Sequence, residues 1–265
     1  MKDVKDRAVL ITGAGMGMGR LFALKFSRAH ARPLLVDVDR EALERTASEL
    51  GGTAHTYVCD ISKIDEVGRL AELVHRDAGM VDVIVNNAGV LYGGPFLKTS
   101  DELIERTIDV NIKGTMFVTR AFLPDLVARK QGHIVTMASG ASLTGVPDLV
   151  AYSTSKHGIV GFSESIRLEM RKYGLRDIRL TLAFPYFVKT GMTTGVRTHV
   201  LLDPQDVVDR IFDAVLKDRP SVYLPGWLRL VPIVFRVLPE SVGDWLLFKT
   251  GVGRTMEHWT GHGEG

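Results

Sequence analysis

Tyr152 and Lys156 stand four residues apart, the spacing that puts a phenol and an ammonium one above the other on a helix. A cation beside a phenol favours phenolate. Each unit by which the phenol falls below its usual pKa of about 10 corresponds to about 1.4 kcal/mol, so a base working near neutrality needs several kcal/mol of help. The pair also suits an ordinary exposed helix. Ser139 adds weight, because a hydroxyl just past a strand can hydrogen-bond a substrate oxygen, although a serine there can equally start a turn.

A second cluster lies at residues 12–19, where Gly13, Gly15, Met16, Gly17, Met18 and Gly19 fall between a predicted strand and a predicted helix. Bare backbone in such a turn can approach a pyrophosphate, whose charge the helix N-terminus favours. Glycine clusters also occur in flexible loops, but Asp37 follows at about 20 residues, where a carboxylate accepts from both ribose hydroxyls of an adenosine. The same carboxylate repels a 2′-phosphate, so NAD is favoured over NADP. Arg20 and Arg40 are the two side chains that would reverse this preference by reaching such a phosphate.

The elements that must position these residues alternate strand and helix. Strands are expected at residues 8–11, 33–36, 56–58, 81–85, 133–137, 178–183 and 222–224. Helices are expected at 18–29, 40–50, 63–78, 151–173 and 204–216, with one long or two abutting helices over 101–112 and 114–130. Residues 188–200 read as a loop or lid. Right-handed crossovers then give a doubly wound α/β fold, a seven-stranded parallel sheet with helices on both faces and a ligand crevice at the strands' carboxyl ends.

Composition agrees with one globular domain over residues 1–265, 45% apolar and 24% charged, with residues 226–265 an apolar segment and tail appended to it. A net charge of +2, with basic and acidic residues interspersed, argues against a nucleic-acid partner. The single cysteine, Cys59, and a charged N-terminus point to a reducing cytoplasm. Homodimers or homotetramers are expected. No metal site is expected either, because His258 and His262 lie without other ligands in a closing stretch that reads as flexible.

From Ala8 to about Leu224 the chain resembles the short-chain dehydrogenase/reductase family, whose fold is of the Rossmann type. The family's Thr-Gly-x-x-x-Gly-x-Gly turn appears at 12–19, its acidic adenine contact as Asp60 before Ile61, and its Asn-Asn-Ala-Gly strand end as Asn86, Asn87, Ala88 and Gly89. Asn111, Ser139, Tyr152 and Lys156 match its catalytic set. The resemblance implies that Tyr152 exchanges a proton while hydride passes to or from the nicotinamide. It further implies that Ser139 orients the substrate oxygen, Lys156 binds the ribose and lowers the Tyr152 pKa, and Asn111 holds a water of a proton relay. A helix-entry cap is the plainer role for Asn111. Where the family usually has Pro-Gly, this chain has Pro185, Tyr186, Phe187 and Val188, with Thr190 following. Backbone at Val188 and the Thr190 hydroxyl would still hold the carboxamide. The bulky pair resembles the branch of retinol and hydroxysteroid dehydrogenases and related fatty-acyl reductases.

Ala141, Leu143, Val146, Leu149, Tyr186, Phe187 and Met192 are the expected substrate wall, apolar enough for a lipophilic alcohol or aldehyde. In the tail, Leu228, Val231, Phe235 and Leu238 fall on one helical face opposite Arg229 and Arg236, a stripe that suits core, a subunit interface or peripheral membrane contact through residues 227–238. Reduction of a fatty-acyl thioester and a non-catalytic NAD- or lipid-binding role are the alternatives to alcohol/carbonyl interconversion.

Overall fold

The computed structural model describes residues 3–52, 54–256 and 259, so His258 and His262 of the expected flexible close lie outside the described residues. Seven strands form one parallel sheet: β1 (Ala8–Thr12), β2 (Arg32–Asp37), β3 (His55–Val58), β4 (Val83–Asn86), β5 (Gly132–Met137), β6 (Ile178–Pro185) and β7 (Ser221–Leu224). Their order is β3-β2-β1-β4-β5-β6-β7, so the winding reverses between β1 and β4 and opens a crevice beyond their carboxyl ends.

Helices follow the strands: α1 (Gly17–Arg28), α2 (Arg40–Glu49), α3 (Ile64–Ala78), α4 (Asp101–Ile108), α5 (Thr115–Arg129), α6 (Val150–Lys172) and α7 (Pro204–Leu216). Side chains on a strand alternate between faces, and the core divides accordingly. Val9 and Ile11 pack with Phe22 and Phe26 of α1 and Ile211 and Phe212 of α7. Ala8 and Leu10 pack on the other face with Val74 of α3 and Phe122 and Leu126 of α5. The central strands are apolar on both sides because each side is covered, whereas the edge strand β3 leaves His55, Thr56 and Val58 exposed.

Three expectations change in detail. The fourth strand begins at Val83, not residue 81, because the Val81 N–H donates to the buried Asp125 carboxylate at 2.9 Å and Asp82 bonds the start of β1 through Ala8 N at 3.0 Å. Residues 101–129 run as one helical stretch, broken by a π turn at Asp109–Gly114. The tail is not a single amphipathic helix. A 3-10 turn, Gly226–Leu230, leads into the short α8 (Val231–Val237), and α9 (Glu240–Lys249), which the sequence did not suggest, folds beside it.

Residues 188–200 form the expected loop, with a 3-10 turn at Gly191–Thr193. A Val188–Leu202 bridge pins its base. Among the described residues no helix is long and apolar enough to cross a membrane.

Candidate active site

The glycine turn is shaped by contacts that leave no room for side chains. Gly13 has φ +66°, and a Cβ there would stand 2.9 Å from Ala88 Cα. A Cβ on Gly19 would fall 1.8 Å from the Gly13 carbonyl oxygen, so α1 starts by crossing its own turn at backbone contact. Gly15 N donates to Asp37 Oδ2 at 2.8 Å, tying the turn to the end of β2. At the helix entry, Met16 offers no side-chain cap and no acidic residue occupies the first turn of α1. The first N–H groups of α1, Gly17 and Met18 among them, are therefore left without a side-chain cap, the condition under which a helix end favours an anion.

Thr12 couples this turn to the next strand. Its Oγ1 accepts from Asn87 N and Ala88 N, each at 3.1 Å, while Asn87 Nδ2 donates to the carbonyls of Thr12 and Gly13 at 3.0 and 3.2 Å. Farther along the crevice, burial raises the Asp60 carboxyl, but hydrogen bonds from Ser62 and Arg106 outweigh it and hold the group below its ordinary value. Ile61 packs against Gly114, where a Cβ would stand 2.7 Å from the Ile61 side chain. Arg20 is engaged by Glu49, with Nε donating to Oε1 at 2.7 Å, and Arg40 is exposed at the start of α2.

The chemistry-bearing residues gather at the carboxyl ends of β4, β5 and β6. Tyr152 and Lys156 lie on α6, both buried, with Lys156 Nζ 5.7 Å from the Tyr152 ring centre. Ser139, just past β5, lies near enough to the Tyr152 phenol to act on its pKa, and its Oγ accepts from Ala141 N at 3.2 Å, so it starts a turn as well. Lys156 Nζ donates to the Met137 carbonyl at 2.8 Å, and Gly89 lies beside Asn111, whose Oδ1 a Cβ there would approach to 3.1 Å. Burial pushes the Lys156 ammonium down to about 8. It pushes the Tyr152 phenol above its ordinary value, with only Ser139 acting to lower it. In the chain by itself desolvation dominates, and the expected lowering by Lys156 does not accompany it.

Asn111 is not a helix-entry cap. It sits inside the π turn, where its Oδ1 accepts from Val90 N at 2.8 Å and its Nδ2 donates to Val90 O and Ser155 Oγ at 2.9 and 3.0 Å. Ser155 Oγ in turn donates to the Tyr152 carbonyl at 2.7 Å. One side chain thereby ties α4–α5, the loop after β4 and α6 together. Thr12 stood inside the quoted glycine motif and Ser155 between Tyr152 and Lys156, each without a role, and two other groups carried no local signal. These are the Met137 carbonyl and Thr193, whose Oγ1 donates to Val188 O at 2.6 Å and accepts from Thr190 N at 3.2 Å.

A cavity of about 470 Å³ opens beside Tyr152. Of the expected cofactor residues, Met18, Asn87, Gly89, Lys156, Pro185, Val188 and Thr190 line it. Of the expected substrate wall, Ala141, Val146, Leu149, Tyr186, Phe187 and Met192 line it. Leu143 does not, because it turns away to pack with Ala138, Ile159, Leu182 and Phe184. The tail stripe is also reassigned: Leu228, Val231 and Phe235 line the cavity, joined by Leu246 and Leu247 of α9. Met256 and Trp259 back the wall by packing with Leu91, Tyr152 and Met192, and Trp259 Nε1 donates to Met192 O at 3.0 Å.

A model of the short chain dehydrogenase family matches residues 7–201. Epidermal retinol dehydrogenase 2 of Mus musculus is 39% identical over 269 aligned positions, covering 98% of this chain and 87% of the relative. Estradiol 17-beta-dehydrogenase 11 of Mus musculus is 36% identical over 244, covering 90% and 82%. Among solved structures, a short chain dehydrogenase/reductase from Burkholderia phymatum in complex with NAD superposes with a TM-score of 0.82 at 27% identity, over 92% of this chain and 97% of that one. A metagenomic short-chain oxidoreductase in complex with NADP gives 0.72 at 29% identity, over 83% and 97%. With a glycine turn, a phenol and a buried ammonium meeting at one sheet edge, and relatives matching nearly end to end, this chain belongs to the short-chain dehydrogenase family of oxidoreductases.

Proposed function

We propose that the protein interconverts a lipophilic alcohol and its aldehyde or ketone with NAD(H), using Tyr152 as the acid/base. The observation that carries this reading is the junction of Tyr152, Ser139 and Lys156 with a predominantly apolar cavity that reaches Met18 of the glycine turn. The crevice suits a dinucleotide because the turn admits backbone where a Cβ would collide and the α1 N-terminus lacks a competing cap. Bound nicotinamide dinucleotide supplies the carbon that delivers or accepts hydride. The chain is read as one unit, since its C-terminal helices complete the cavity that the sheet begins.

Ser139 holds the substrate oxygen near the Tyr152 phenol, and the proton moves between that oxygen and the phenolic oxygen. A phenol held above its ordinary value by burial is protonated at neutral pH, the state needed to donate to a carbonyl. Oxidation of an alcohol needs the phenolate instead, and there the Lys156 ammonium contributes positive charge from the same face of α6. Asp37 would accept the adenosine ribose hydroxyls, and with Arg20 occupied by Glu49 this supports NAD over NADP.

Turnover of a graded panel of alcohols tests the reading. Activity with NAD should rise with apolar chain length and exceed that with NADP; a preference for sugars, or for NADP, would count against it.

A further inference from the structure

Helices α8 and α9 are apolar on two opposite sides. Inward, Val231, Phe235, Leu246 and Leu247 line the cavity. The two helices pack closely, since a Cβ on the buried Gly243 would stand 3.2 Å from the Phe235 ring. Outward, Ile233, Val237, Trp245 and Phe248 are exposed, Val237 by 77% and Trp245 by 59%. Eight of the 21 exposed large apolar side chains among the described residues fall between Trp227 and Phe248, so the exposure is gathered rather than scattered. A helix apolar all round calls for an apolar neighbour on each side, and the cavity is only one of them.

We propose that the outer face of this two-helix cap docks on a lipid surface bearing anionic headgroups, and that substrate enters the cavity from that surface. The proposal rests on the reading of the cavity as a lipophilic-substrate site. Two features select lipid over a second copy of the chain. The cap is the partition between the exposed apolar row and a cavity for ligands that dissolve in lipid, so passage through it never exposes the ligand to water. The row is also accompanied by Arg229, Arg236 and Lys249, all exposed, and by the indoles of Trp227 and Trp245, the ring type that settles at headgroup level. Glu240 and Asp244 are exposed on α9 too, two turns and one turn before Phe248, so three basic side chains stand around the row against two acidic ones. With no helix among the described residues long and apolar enough to span, the cap would lie in the plane of the interface.

Flotation of the full chain with mixed phosphatidylcholine–phosphatidylserine vesicles tests this. The parent should float, and I233E/W245E should lose about tenfold or more of its bound fraction while binding NADH as the parent does. A second variant, R229Q/R236Q, leaves the apolar row intact and should weaken flotation on these vesicles but not on pure phosphatidylcholine. For delivery, I233E/W245E should lose about tenfold in kcat/KM toward a vesicle-dissolved long-chain alcohol and keep its rate on a short water-soluble one. A parent that stays in solution, or an I233E/W245E protein that floats equally well, overturns the docking surface. A parent that does not float but whose mass halves on I233E/W245E substitution gives the face to a second copy and overturns it likewise. Unchanged kcat/KM on the vesicle-dissolved alcohol overturns delivery. Because flotation needs no turnover, a protein inactive on every lipophilic alcohol would refute the site reading separately.

Discussion

At the scale of single residues, the site depends on what is excluded as much as on what is present. Gly19 lies against the Gly13 carbonyl where a Cβ would come within 1.8 Å, and the conflict is with backbone, which cannot swing aside. Gly19→Ala should therefore displace the turn and weaken NADH binding about tenfold or more, read by fluorescence titration. Lys156 makes a different prediction. Its ammonium is pushed down to about 8 by burial, while the unfolded chain keeps it near 10.5, so between these values the unfolded state holds the extra proton and stability rises with pH. The desolvation cost is in force below pH 8 and is relieved as pH climbs. In a Lys156→Met protein that cost is gone, so its thermal midpoint relative to the parent's should fall steadily from pH 8 to pH 10. A constant difference would mean that the ammonium is not desolvated.

At the scale of elements, the junction around Asn111 carries the arrangement. Its amide satisfies both backbone groups of Val90 and reaches Ser155, which holds the Tyr152 carbonyl, so the loop after β4 and the start of α6 are fixed relative to each other. Truncation to Ala leaves buried polar groups unpaired, and each such group costs about 1–3 kcal/mol. Asn111→Ala should lower stability in denaturant melts by about that amount and reduce kcat more than it raises KM. The strands and the long helices were legible because apolar runs and helical periodicity are local properties. The π turn was not, since a single extra residue in a helical repeat leaves the polar-apolar pattern of residues 101–130 nearly unchanged. Leu143 was misplaced for a related reason: spacing puts it beside Ala141, but the 3-10 turn that Ser139 begins rotates it toward α6 and β6.

At the scale of the whole molecule, the candidate site is assembled from parts distant in sequence. The glycine turn follows β1, the phenol and ammonium start α6, and the far wall comes from α8 and α9, with Trp259 packed on the cluster around Tyr152. The first two carry recognisable spacing, whereas the wall is set by long-range packing between short apolar segments that read alike whether they face core, cavity or surface. The tail stripe was apolar as expected, yet it faces the cavity because α8 is short and α9 folds against it. The most direct test of the central claim separates binding from proton transfer. Tyr152→Phe removes one oxygen from a ring that keeps its packing, so the variant should bind NADH as tightly as the parent and reduce long-chain aldehydes about 10²–10⁴-fold more slowly. Reduction at the parent's rate, with NADH binding unchanged, would contradict the account.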